Sequence, residues 1–151
     1  MCASPAGVRN AYYDDRTDVR SDLSLLRPDS VRLLCADDEE DIRTILGLAL
    51  SLDPGIEAEI VESGYAALER VKCGNFDAVL LDGMMPGIDG YETCRRLKAD
   101  PATAALPVVF LTAKTQRSEV ERALALGAAA CLTKPFDPMT LAADLRAALR
   151  T

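Results

Sequence analysis

The sequence predicts an α/β fold: a doubly wound, five-stranded parallel sheet of order 2-1-3-4-5, with helices on both faces. Three observations carry this. From Val31 onward, short apolar runs alternate with amphipathic stretches, the pattern of βα units whose strands lie in a parallel sheet. Several of the runs are apolar almost throughout, as strands covered on both faces require. Five such units fit before Arg150, too few to close an eight-stranded barrel, so the sheet is expected to stay open.

The first strand is expected at 31–36. The helix after it, at 41–50, sets Ile42, Ile45, Leu46, Ala49 and Leu50 along one face. The second strand, 56–61, carries Glu57 and Glu59 between apolar residues, which suits an edge position. A helix at 65–73 follows, then a third strand at 78–82 and a helix at 91–99. The fourth strand is placed at 107–111 and its helix at 118–126, with Gly127 positioned to end it. After a fifth strand at 130–133, Asp137 is a plausible N-cap and Pro138 a first helical residue. The last helix, 139–150, aligns Leu141, Leu145 and Leu149 in one stripe.

Residues 1–30 mix small, polar and charged side chains with Pro5, Gly7 and Pro28 and show no sustained apolar period, so they are read as a mobile N-terminal extension. Leu23, Leu25 and Leu26 form one short apolar turn within it. Residues 31–151 form the single folded domain, since 151 residues suffice for one core. The net charge of −7 argues against phosphate-backbone binding, which depends on clustered Lys and Arg. No apolar run would span a bilayer, and the start of the chain lacks the layout of a signal peptide, so a cytoplasmic location is expected. The five cysteines, Cys2, Cys35, Cys73, Cys94 and Cys131, are widely spaced and accompanied by no histidine, which points to reduced thiols rather than zinc sites or disulfides. Without histidine the commonest general base is missing. Any chemistry must rest on carboxylates, Lys and Thr.

The polar residues fall at one edge of the expected sheet. Asp37 and Asp38 end the first strand, Asp82 the third, Thr112 the fourth and Lys134 the fifth. Open α/β sheets bind ligands at the carboxyl ends of their strands, where the strand order reverses. Each residue alone has a plainer reading: Asp37 and Asp38 as N-caps, Thr112 as a strand-end hydroxyl, Lys134-Pro135 as a turn. Their joint placement is what capping and turns do not require. Carboxylates about 4 Å apart would repel by roughly 4 kcal/mol per pair at an effective dielectric near 20. A hard cation relieves that, and Mg2+ suits a site offering one or two carboxylates, water and phosphate oxygens. A carboxylate beside a cation and an ammonium is prepared as a nucleophile for phosphoryl transfer.

Four motifs, LLCADDEEDIR, VLLDGMMPGIDG, VVFLTAK and CLTKPF, resemble in combination the receiver domain of two-component response regulators. The likeness is to the chemotaxis-type, stand-alone form with a flavodoxin-like fold, and it runs from about Val31 to Arg150. The resemblance implies that Asp82 is the phosphoacceptor, that Asp38 binds Mg2+ directly and Asp37 mainly through water, and that the backbone carbonyl of Met84 completes the protein ligands. It also implies that Lys134 contacts the phosphoryl group, that Thr112 swings its hydroxyl onto it, and that Pro135 follows a cis peptide bond. Met84 and Lys114 occupy positions that tune phosphoryl lifetime in the family. One departure stands out: the position three before Lys134, usually Tyr or Phe and a partner of the strand-four Thr on activation, is Cys131. The switch set is then Thr112, Cys131 and Pro135.

The implied protein is a phosphoacceptor switch rather than an enzyme. Its phosphoryl donor would be a sensor histidine kinase or histidine phosphotransfer protein, and its output a protein target reached as a monomer or phosphorylation-dependent dimer. No output domain and no direct nucleic-acid contact are expected in this chain. Two rivals share the architecture. An aspartate-nucleophile phosphohydrolase of the haloacid-dehalogenase type would carry DxD on its first strand, where this chain has adjacent aspartates. An FMN carrier would place phosphate against ADDEED, which repels it. A constitutive docking module that never turns over phosphate is a third reading.

Overall fold

The computed structural model describes residues 30–112 and 117–150, the side chain of Arg150 excepted. Apart from Ser30, the extension expected over residues 1–30 lies outside the described residues, as do its leucine turn, Cys2 and Lys114. Five strands and five helices alternate: β1 (Val31–Ala36), α1 (Glu40–Ser51), β2 (Ile56–Val61), α2 (Gly64–Cys73), β3 (Ala78–Asp82), α3 (Gly90–Ala99), β4 (Val108–Thr112), α4 (Arg117–Ala125), β5 (Ala130–Thr133) and α5 (Leu141–Arg150). The strands form one sheet of order β2-β1-β3-β4-β5, with every pairing parallel. This is the predicted fold, with β2 on an edge.

Side chains alternate across the pleat, so each strand feeds two apolar layers. Leu34, Ala36, Val79, Leu81, Val108 and Phe110 face one layer, covered by α2, α3 and α4 through Ala67, Val71, Tyr91, Cys94, Leu97 and Ala123. Leu33, Cys35, Ala78, Leu80, Val109 and Leu111 face the other, covered by α1 and α5 through Leu46, Ala49, Leu50, Leu141 and Leu145. The central strands β3 and β4 are buried along their whole length.

Three details of the sequence reading need correction. β4 runs one residue later than expected, because Pro107 has no N–H to donate and contributes only its carbonyl, to Val79. The buried face of α1 is carried by Leu46, Ala49 and Leu50, with Ile45 at the margin, 39% exposed. The last helix starts at Leu141, because Asp137 closes a turn first. Its carboxylate accepts from the Met139 N–H at 2.9 Å and its carbonyl from Thr140 and Leu141, each at 3.0 Å. Gly127, at φ 99°, ends α4 as expected, and Ser63 caps α2 and Asp89 caps α3, two caps the sequence reading did not name. No helix among the described residues is long and apolar enough to cross a membrane. Cys35, Cys94 and Cys131 are free thiols, as expected for these three.

Candidate functional site

Register alone brings the polar residues together. Ala36 pairs with Leu81, Asp82 with Leu111, and Thr112 with Thr133, so the residues that end β1, β3, β4 and β5 line one rim of the sheet. Asp37 extends β1 by one hydrogen bond, its N–H donating to the Val61 carbonyl at 3.1 Å. Lys134 does the same for β5, donating to the Thr112 carbonyl at 2.8 Å, and the Lys134–Pro135 peptide that follows is cis.

Asp37, Asp38 and Asp82 each offer a carboxylate oxygen, and these atoms lie within 4.8 Å of one another. Asp37 is fully buried, Asp82 is nearly so, and Asp38 is exposed. Lys134 lies between the two buried carboxylates, its Nζ 2.9 Å from Asp37 Oδ2 and 3.3 Å from Asp82 Oδ2. Glu39 Oε1, which the sequence reading did not single out, stands 3.9 Å from the same ammonium. The other oxygens are held by backbone: Asp37 Oδ1 accepts from the Glu39 N–H at 2.9 Å, and Asp82 Oδ1 from the Met84 N–H at 3.2 Å. The Met84 N–H therefore reaches the pocket, while the side chain is 66% exposed.

The electrostatics are those of a crowded acidic pocket. Burial first, with the Asp37 charge adding to it, pushes the Asp82 carboxyl up to about 6, against the lowering effects of the Met84 N–H and Lys134. Burial acts to lower the Lys134 ammonium, but Asp37 and Asp82 outweigh it and hold the group above its ordinary value. One ammonium cannot balance three carboxylates. Asp37 Oδ2 is buried with no aligned hydrogen-bond donor, although Lys134 approaches it as an ion. A buried carboxylate oxygen in that state is an open acceptor. Together with an all-oxygen donor set it fits a hard divalent cation.

Thr112 is buried at the end of β4, and its hydroxyl faces Gly83: a methyl on Gly83 would stand 3.6 Å from Thr112 Oγ1. Cys131, half-buried in β5, pairs with Phe110 of β4. The aromatic beside this region is Tyr91, at the start of α3, which the sequence reading took only as a helix residue. Its ring stacks on Phe110 with centroids 4.9 Å apart, and its hydroxyl donates to Glu119 Oε1 of α4 at 2.8 Å. The absence of an aromatic at position 131 was the signal that could have prompted a search for one elsewhere.

Residues 33–146 match the response regulator receiver domain family. The chain spans about half the length of the curated relatives it matches. It is 39% identical over 120 residues to the phosphate regulon transcriptional regulatory protein PhoB of Pseudomonas aeruginosa, an alignment covering 78% of this chain and 51% of that one. Against the DNA-binding response regulator MtrA of Mycobacterium tuberculosis it is 39% identical over 119 residues, 79% of this chain and 50% of the relative. Among solved structures, the chemotaxis response regulator CheY4 of Vibrio cholerae superposes with a TM-score of 0.73 at 29% identity, covering 79% of this chain and 98% of that one.

Proposed function

Because this chain belongs to the response regulator receiver family, we propose that Asp82 accepts a phosphoryl group from a phosphohistidine donor and that the domain signals through a protein partner. The observation that carries this reading is the meeting of Asp37, Asp38 and Asp82 within 4.8 Å around an open buried oxygen, with Lys134 bridging two of them. Asp37, Asp38, Asp82 and the Met84 carbonyl would hold Mg2+. When bound, the cation supplies positive charge to the pocket and to the oxygens of an incoming phosphoryl group.

The chain's own residues do the rest. An Asp82 carboxylate oxygen attacks phosphorus, forming a P–O bond as the P–N bond to the donor imidazole breaks, and the leaving imidazole keeps the electron pair and takes up a proton. Lys134, already 3.3 Å from Asp82, donates to a phosphoryl oxygen, and Thr112 donates its hydroxyl to another. Asp82 gains roughly −1.5 to −2 charges in place of its own. The Cys131, Thr112 and Pro135 region is where this change is read. The donor would be a sensor histidine kinase or a histidine phosphotransfer protein in the cytoplasm. The chain's net charge of −7 supports a protein target rather than direct contact with nucleic acid.

Acetyl phosphate with Mg2+ is expected to add one phosphoryl group, seen by intact-protein mass spectrometry. Asp82→Asn or a chelator abolishes the addition. Labelling of Asp82→Asn at the wild-type level would move the acceptor elsewhere.

A further inference from the structure

The family resemblance assigns the coupling of the phosphoryl site to the α4 surface to an aromatic at position 131, and here that position is a cysteine. Gly90 shows where the coupling can go instead. A Cβ on Gly90 would lie 2.3 Å from the Asp82 carbonyl oxygen, and the Gly90 N–H donates to the Gly83 carbonyl at 3.1 Å, so α3 begins directly against the backbone that carries the acceptor. The next residue is Tyr91, only 4% exposed.

Tyr91 meets the residue after Asp82, β4 and α4. A methyl on Gly83 would stand 3.5 Å from the Tyr91 hydroxyl and 3.6 Å from Thr112 Oγ1, so the two hydroxyls converge on the residue after Asp82. Its ring lies on Phe110, two residues before Thr112 and paired with Cys131. Its hydroxyl donates to Glu119, and the Arg122 guanidinium carbon stands 4.2 Å from the ring centroid, so two residues of α4 grip the same side chain. Burial first, then the bond to Glu119, pushes the phenol up to about 12, which keeps it a donor at neutral pH.

We propose that Tyr91 is the positioning residue through which phosphorylation of Asp82 reaches α4, in place of the aromatic that position 131 lacks. The inference rests on Asp82 being the acceptor. A shift of Thr112 or Gly83 toward a new phosphoryl group changes what the Tyr91 tip packs against. The packed interior transmits that change to Glu119 and Arg122 rather than absorbing it.

The test uses the 15N-labelled full chain with Mg2+ and beryllofluoride as the phosphoryl stand-in, read by amide chemical shifts. In the wild type, Asp82, Gly83 and Lys134 respond, and so do residues 117–125 of α4. Tyr91→Phe, which removes only the hydroxyl, and Glu119→Ala, on the helix surface, are expected to keep the site response while the α4 shifts drop by about half or more. Glu119→Gln, which keeps an acceptor oxygen, restores most of the loss. Unchanged α4 shifts in both Tyr91→Phe and Glu119→Ala, with the site fully responsive, would overturn the role of Tyr91 alone. No site response in the wild type would overturn the acceptor reading and this inference with it.

Discussion

Lys134 is 11% exposed and holds two buried carboxylates at once. Replacing it with Met leaves Asp37 and Asp82 facing each other without a cation. Removing one partner of a buried ion pair costs roughly 3–5 kcal/mol, and the lower end is expected here because Asp82 can take up a proton. Urea denaturation of Lys134→Met, with chelator present, is expected to show a loss of about 3 kcal/mol at pH 8. The loss should be smaller at pH 5. There Asp82, pushed up to about 6, is mostly protonated and one of the two opposed charges is gone. An equal loss at both values would mean that the lysine packs rather than neutralises. The sequence showed that these residues share a sheet edge, because strand ends can be counted. It did not show that Asp37 is fully buried while Asp38 is exposed, since burial depends on the chain turning into α1 between them.

At the scale of elements, Asp53, between α1 and β2, and Arg146 of α5 tie together the two helices that cover one face of the sheet. Arg146 Nη2 donates to Asp53 Oδ1 at 3.1 Å, alongside a second bond from Nε to Oδ2. The Arg146 bond, more than any other influence, holds the Asp53 carboxyl below its ordinary value of 3.8. A depressed carboxyl contributes stability that is complete above the unfolded-state pKa and is lost as pH falls through the folded-state value. Arg146→Met should therefore cost about 1 kcal/mol at pH 7, and the cost should shrink as pH falls below the ordinary carboxylate range, as read from denaturation midpoints of the two proteins. Every strand and helix was legible from apolar spacing and punctuation. The errors sit where backbone chemistry competes with pattern: Pro107 delays β4 for want of an N–H, and Asp137 closes a turn before α5 can start. The bond from Tyr91 to Glu119 spans 28 residues and joins two helices, so no local pattern could announce it.

For the molecule as a whole, the site is a term in the folding equilibrium. A cation that binds the folded chain alone adds about 2.7 kcal/mol when present at roughly 100 times its dissociation constant. Mg2+ is expected to raise the thermal midpoint of the wild type. Asp38→Ala, removing one of the clustered charges from an exposed side chain, should leave the midpoint in chelator unchanged or slightly raised while reducing the Mg2+ response. An undiminished response would remove Asp38 from the ligand set. The Asp37 oxygen without an aligned donor also says something about the energy landscape. Natural sequences are minimally frustrated, and local conflicts gather where function demands them. Among the described residues the conflict is confined to one rim of a sheet whose two apolar layers are otherwise consistent from strand to strand. Substitutions that relax this rim are accordingly expected among the easiest ways to make the resting protein more stable, and each would do so by giving up the readiness of the pocket to take a charge.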